Sequence, residues 1–333
     1  MDINYLLLLQ TFRQKCGLVV EGIFSTLTDI PFNPATILLV CVLYWCVNKR
    51  MGLFILFSQT FGLFVNNVIK LCVCAYRPWI RDSRIQPPPK AQAGATGYSF
   101  PSGHTMTAVG IYGTLGYSLI QKNKEEKNHK WLWAIILCAL VIVVVAFSRN
   151  FLSVHTPQDV LVGLLVGFVV IYLTDLLLKW EQKGEEGNCR DLIIAGVGTL
   201  LVIVSSIFLL LKAYPMDYNA DGSLVVDPEK MKNDYFSAAG SFVAVLWGWV
   251  IEKRWIKFET EGSIVMRIIR TVCGVLLVSV FLFGSSYFIK PFMPNLFVYY
   301  FVKHFLVYFV VVAGYPAIVG AIQRKKNKKN SAE

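Results

Sequence analysis

Three clusters hold residues whose types and spacing can do chemistry together. The first is Lys70, Arg77 and Pro78. Seven positions put the two cations two turns apart on one helix face, and Pro78 stops that helix. Snorkelling at a membrane edge explains Arg77, but Lys70 follows 19 residues without a charge, and a cation so embedded needs a partner. The second cluster is Phe100-Pro101-Ser102-Gly103-His104. Pro and Ser are ordinary punctuation at a helix start. Gly103 would let a ligand approach the free N–H groups there, which bind anions, and His104 can hand a proton to whatever the anion leaves behind. The third cluster runs from Ser148 and Arg149 to His155, Thr156 and Asp159. Thr156 and Asp159 have capping-box spacing, so Asp159 can be a cap and nothing more. It also follows His155 by four positions, where its carboxylate can hold one ring nitrogen and leave the other to attack.

The composition says what kind of element must position these residues. Of 333 residues 55% are hydrophobic and only 16% charged, with a mean hydropathy of +0.54, against about 25% charged in a soluble domain. A disordered chain, a disulfide miniprotein and an ordinary cytosolic enzyme are excluded. Nine apolar stretches, 34–48, 51–75, 102–121, 131–148, 157–179, 191–213, 235–251, 264–288 and 296–322, show no strand-like alternation. In lipid a helix satisfies its own backbone, so the expected fold is an all-α, polytopic integral membrane protein with about nine transmembrane helices. Residues 1–33 mix apolar and charged residues in a roughly helical rhythm. They are expected as an amphipathic segment lying flat in the outer interface, with a tenth span as the rival. Connections 49–50, 122–130, 179–190, 252–270 and the basic tail 323–333 hold 19 Lys and Arg, against 10 on the opposite side. The first set is therefore expected in the cytoplasm, and all three clusters fall together on the outer side. The net charge of +11 then reflects loops facing an anionic leaflet rather than nucleic acid. Six of the eight cysteines sit in apolar runs, as small buried hydrophobes outside any disulfide framework.

Three cations, Lys70, Arg77 and Arg149, around one tetrahedral dianion match phosphate chemistry. In order and spacing the clusters resemble the signature of the type 2 phosphatidic acid phosphatase (PAP2) superfamily, over roughly residues 34–180. The resemblance implies a PAP2-type catalytic helical bundle in 34–180, followed by additional transmembrane helices in 181–322. It implies that His155 is a nucleophile forming a phosphohistidine, that Asp159 orients it, and that His104 protonates the leaving oxygen and then activates water. Lys70, Arg77, Ser102, Gly103 and Arg149 would hold the phosphoryl oxygens, with no metal and no cofactor. Soluble vanadium haloperoxidases share the signature, but the hydropathy argues against that branch. Nine helices with an outside N-terminus are similar to the layout of glucose-6-phosphatases. The expected function is a metal-independent membrane phosphatase acting on a lipid phosphate monoester or diphosphate, with a sugar phosphatase as the alternative. The rival of another class is a non-catalytic lipid-phosphate binder or transporter. The His104–His155–Asp159 set argues against it, because binding alone needs cations but neither nucleophile nor acid. Expected partners are the phosphorylated substrate and membrane lipids; the oligomeric state is left open. The outer loops carry no Asn-x-Ser/Thr sequon, which fits a bacterial plasma membrane.

Four weaker features remain. Asp217, Asn219, Asp221 and Gly222 resemble the start of a calcium loop, but its twelfth position is Pro228, so a polar turn is expected. Gly163 and Gly167 make a small-residue face, expected to pack inside the bundle rather than to dimerise. Loop 79–98 carries Arg81, Arg84 and Lys90, whose charges would suit a diphosphate. Trp79, Tyr98, Phe100 and Phe151 read as aromatics at interface depth.

Overall fold

A computed structural model describes residues 2–185 and 188–330; residues 186–187 of the 179–190 connection and the last three of the basic tail lie outside the described residues. The described residues form helices α1 (Asp2–Leu27), α2 (Pro34–Val47), α3 (Lys49–Val73), α4 (103–125), α5 (Leu132–Phe151), α6 (Pro157–Gln182), α7 (Arg190–Leu211), α8 (Pro228–Ile256), α9 (Ile264–Phe288) and α10 (Leu296–Lys328). Two short turns of helix, Pro78–Arg81 and Pro89–Ala93, lie between α3 and α4. All nine apolar stretches are helical. Seven helices among the described residues are long and apolar enough to cross a membrane, rather than the nine expected. Of the other two, α2 is shorter, and α4 has its hydropathy diluted by His104, Thr105, Thr107, Gly110, Gly113 and Thr114.

The chain divides into two compact units, one made of residues up to Thr36, Phe61–Leu173 and Ile207–Lys232, the other of Ile37–Thr60, Thr174–Ser206 and residues from Asn233 onward. All three clusters lie in the first unit. There α4 and α6 meet along the small-residue face: a Cβ on Gly163 would come 3.1 Å from the Ser102 carbonyl oxygen, and one on Gly167 would come 2.8 Å from Val109 Cγ1. The face thus packs inside the bundle, as expected. Helix α1 is broken at Gly17, whose φ of 79° only glycine adopts cheaply. It turns its polar groups inward: Arg13 is 3% exposed and Leu18 84%. Phe24 seals it against Phe151 of α5 at 4.3 Å between ring centroids.

In the second unit, buried donors meet backbone that the helices leave open. A π-helical turn at Val310–Gly314 displaces the regular bonding, and the carbonyls of Val311 and Val312 accept from Trp45 Nε1 and Tyr44 Oη, each at 2.9 Å. Arg270, 5% exposed, donates to the carbonyls of Trp45, Glu259 and Glu261. Charged groups at one end are paired, Lys49 with Glu252 at 2.9 Å and Arg254 with Asp191 at 2.5 Å.

Candidate active site

The third cluster is built where α5 stops and α6 starts. Ser153 closes α5 in the left-handed region, φ 58°, which costs a non-glycine residue about 1–2 kcal/mol. Local bonds offset that cost. Val154 N and His155 N both donate to the Arg149 carbonyl at 3.1 and 3.2 Å, and Asn150 Nδ2 donates to the His155 carbonyl at 2.9 Å. Arg13 reaches in from α1 and donates to the Phe151 carbonyl at 2.8 Å and Ser153 Oγ at 3.1 Å. Pro157 then begins α6 with its φ already set for a helix.

This framework holds His155 by both ring nitrogens. Nδ1 faces Asp159 Oδ2 at 3.3 Å, and Nε2 lies 2.8 Å from Arg77 Nη1. A guanidinium only donates, so Nε2 must present its lone pair and the ring proton must sit on Nδ1. Burial first, and then the charges of Arg77, Arg149 and Lys70, hold His155 well below its ordinary value. The ring is therefore neutral and can act as a nucleophile. Asp159 Oδ2 also accepts from the Thr156 backbone N–H at 2.8 Å and from Ser99 Oγ at 2.5 Å. One carboxylate oxygen is thus both the helix cap and the partner of His155.

The expected cations converge. Arg77 is fixed by donation to the carbonyls of Gly97, Thr96 and Val154, each at 3.0 Å. Arg149 is 2% exposed and donates from Nη1 to Thr28 Oγ1 at 2.8 Å, while its buried Nε meets no acceptor among the described residues. Such an orphaned donor fits a bound phosphoryl oxygen. Lys70 donates to the carbonyls of Tyr98 and Ser99 at 2.9 and 3.2 Å. It pins the chain entering the second cluster and adds charge next to His155.

In the second cluster Ser102 caps α4, its Oγ accepting from Thr105 Oγ1 at 2.9 Å. Its N–H donates to the Asp159 carbonyl at 2.9 Å, tying the starts of α4 and α6 together. A Cβ on Gly103 would press on Asn66 Oδ1 at 3.3 Å, so the position is close-packed. His104 Nε2 points to Asp29 Oδ1 at 3.5 Å, with Phe32 edge-on to its ring at 4.8 Å between centroids.

Ser99, Asn66, Arg13, Thr28 and Asp29 went unassigned in the sequence. None sits at a helical spacing from the residue it serves, so no periodicity could flag them. One expectation is corrected. Tyr98 and Phe151 are fully buried, Phe151 because it packs under α1, so they are core groups rather than interface aromatics. In loop 79–98, Arg81 pairs with Asp2 at 3.0 Å and Arg84 with Asp82 at 2.7 Å. Carboxylates thus occupy two of the three loop cations that would have suited a diphosphate. The calcium-like segment folds as a polar turn: Ser223 bonds back to Asp221, Gly222 takes φ 80°, and Asp217 accepts from Tyr76 Oη.

Known proteins resemble the chain in two places. Residues 51–183 match the PAP2 superfamily, and residues 236–326 match the transmembrane extension of PAP2 superfamily phosphatases. The chain is 26% identical over 204 residues to lipid phosphate phosphatase delta of Arabidopsis thaliana, covering 61% of this chain and 47% of that protein. It is 30% identical over 111 residues to phosphatidylglycerophosphatase B of Bacillus subtilis (strain 168), covering 32% and 53%. It is 24% identical over 165 residues to glucose-6-phosphatase catalytic subunit 1 of Haplochromis nubilus, covering 45% and 47%. The chain thus spans about half the length of these relatives. No solved structure matches it.

Proposed function

For an integral membrane chain that carries a PAP2 superfamily domain and the transmembrane extension of PAP2 phosphatases, we propose metal-independent hydrolysis of a lipid phosphate through a phosphohistidine. The observation that carries this reading is the pair of contacts on His155. Asp159 accepts the Nδ1–H hydrogen bond, and the Nε2 lone pair points at a cation where an anion would sit. The substrate phosphoryl group displaces Arg77 from Nε2 and is held by Arg77, Arg149 and the start of α4. His155 Nε2 attacks phosphorus while the ester P–O bond breaks, and His104 gives its proton to the leaving oxygen. Water then attacks the phosphohistidine as His104 takes a proton back. The P–N bond breaks, phosphate leaves, and both histidines return to their starting state. The cations neutralise the charge that builds on the phosphoryl oxygens.

A lipid suits the surroundings of His104. Phe32, 45% exposed, lies beside it, and α1 leads to that point with Leu8, Phe12, Leu18, Val19 and Ile23 on its outer surface. The leaving group therefore meets Phe32 and the apolar outer surface of α1, with the Asp29 carboxylate beside them. The similarity to a glucose-6-phosphatase keeps sugar phosphates as the second reading. With two loop cations already paired, a monophosphate fits better than a diphosphate. The Lys and Arg distribution supports a site on the extracytoplasmic face with the C-terminal tail in the cytoplasm. The missing sequons in the outer loops suit a bacterial plasma membrane.

Phosphate release by the purified chain in detergent, from a panel of lipid and sugar phosphates, tests this. We expect kcat/KM for a long-chain lipid phosphate to exceed that for glucose 6-phosphate by at least about 10²-fold, or about 2.7 kcal/mol of transition-state binding, and to survive excess EDTA. Equal values would promote the sugar reading. Loss on chelation, restored by magnesium, would overturn the metal-free mechanism.

A further inference from the structure

The turn between α1 and α2 touches two of the groups assigned to phosphoryl transfer. Thr28 is 4% exposed, and its Oγ1 accepts from Arg149 Nη1 at 2.8 Å. One residue on, Asp29 Oδ1 lies 3.5 Å from His104 Nε2, and Phe32 packs against the ring at 4.8 Å between centroids. We infer that this turn is a positioning element of the site, in which Thr28 fixes the Arg149 guanidinium and Asp29 orients His104 and favours its proton-donating form. The inference rests on the phosphohistidine reading, because it assigns work to His104 as acid and base.

The two histidines are then held in opposite senses. Asp159 faces Nδ1 of His155 and leaves Nε2 to attack, whereas Asp29 faces Nε2 of His104 and leaves Nδ1 for the leaving oxygen. A carboxylate beside an imidazole favours the charged ring. That bias is needed here because burial first, and then the charges of Arg149 and Arg77, hold His104 below its ordinary value, at about 4, with Asp29 the group acting against them. Asp29 itself is kept ionised, its carboxyl held below the ordinary range by the hydrogen bond from His104 and by the charges of Arg149 and Lys90. The 3.5 Å separation is long for a hydrogen bond, as catalytic contacts commonly are without substrate. The bland alternative is an exposed ion pair with little effect, since Asp29 is 54% exposed.

Asp29→Asn separates the two, and its exposure makes the change tolerable to the fold. We expect kcat/KM for an alkyl phosphate to fall about tenfold, part of the 10²–10⁴-fold that general acid help supplies. Turnover of p-nitrophenyl phosphate, whose leaving group needs little proton, should fall by less than about twofold. The alkaline limb of the alkyl-phosphate profile should move to lower pH, because the acid is lost earlier. Thr28→Val should weaken inhibition by inorganic phosphate severalfold and Thr28→Ser should restore it, since Ser keeps the acceptor for Arg149. A wild-type pH profile and an unchanged alkyl-to-aryl ratio in Asp29→Asn would overturn the role of Asp29. Unchanged phosphate inhibition in Thr28→Val would overturn that of Thr28. Turnover that survives His155→Ala would bring down the phosphohistidine reading, and this inference with it, through a separate measurement.

Discussion

Each group proposed for the chemistry has its state set by identifiable neighbours. Arg77 at Nε2 and Asp159 at Nδ1 leave His155 one tautomer. His155→Ala should therefore keep less than a tenth of wild-type turnover while the protein still folds. His104→Ala should lose about 10²–10⁴-fold, most for substrates with poor leaving groups. Phosphate-release assays on both variants, with circular dichroism to check folding, test this pair. The pH dependence follows from the direction of the His155 shift. Its folded value lies well below the ordinary one, with burial the largest cause, so the neutral nucleophile persists on acidification below about 6.5, the value of a free histidine. The acid limb of kcat/KM should fall below that pH, and a limb at or above it would contradict the arrangement. The stability link has the same sign. A histidine buried neutral contributes fully above the unfolded value, and the contribution is lost as pH falls through the folded one.

Among the elements, α1 does more than cover a surface. Its Arg13, 3% exposed, joins the Phe151 carbonyl, Ser153 Oγ and the Gln86 carbonyl, and pairs with Glu21 at 3.4 Å. These contacts clamp the loop that carries His155 and the segment that carries Arg84 and Gln86. Arg13→Met fills the space but leaves those acceptors without a donor. Breaking a buried charged network in this way costs about 3–5 kcal/mol. We expect a lower thermal midpoint in detergent, and a fall in kcat larger than the change in KM, because the loop positions the nucleophile. A variant with wild-type stability would show that α1 is a passive cover. Gln10 supports the same clamp, donating to the Arg84 carbonyl at 3.0 Å and accepting from Gln86 N at 2.7 Å.

For the whole molecule, the prediction concerns sidedness. A cysteine placed in loop 79–98 should react with an impermeant thiol reagent from outside intact cells, in a background lacking Cys16 and Cys72. One placed in 122–130 should not. Reversed labelling would put the site in the cytoplasm. The positive-inside bias that supports this is a property of the connections summed over the chain.

The amino-acid sequence by itself determined an all-helical membrane protein and the residues from Lys70 to Asp159 that converge in one unit. Hydropathy and helical spacing act locally, so they can be read one window at a time: Lys70 and Arg77 are seven apart, and His155 and Asp159 four. Only the tertiary structure decided what those residues touch. It brought Thr28 to Arg149 across 121 positions and Arg13 to Ser153 across 140, and it set Asp29 against His104. It also placed Tyr98 and Phe151 in the core and joined Arg81 to Asp2. Such pairings depend on how helix surfaces pack. A buried donor bonds to whatever acceptor the packing brings within about 3 Å, however far away that acceptor lies in the chain.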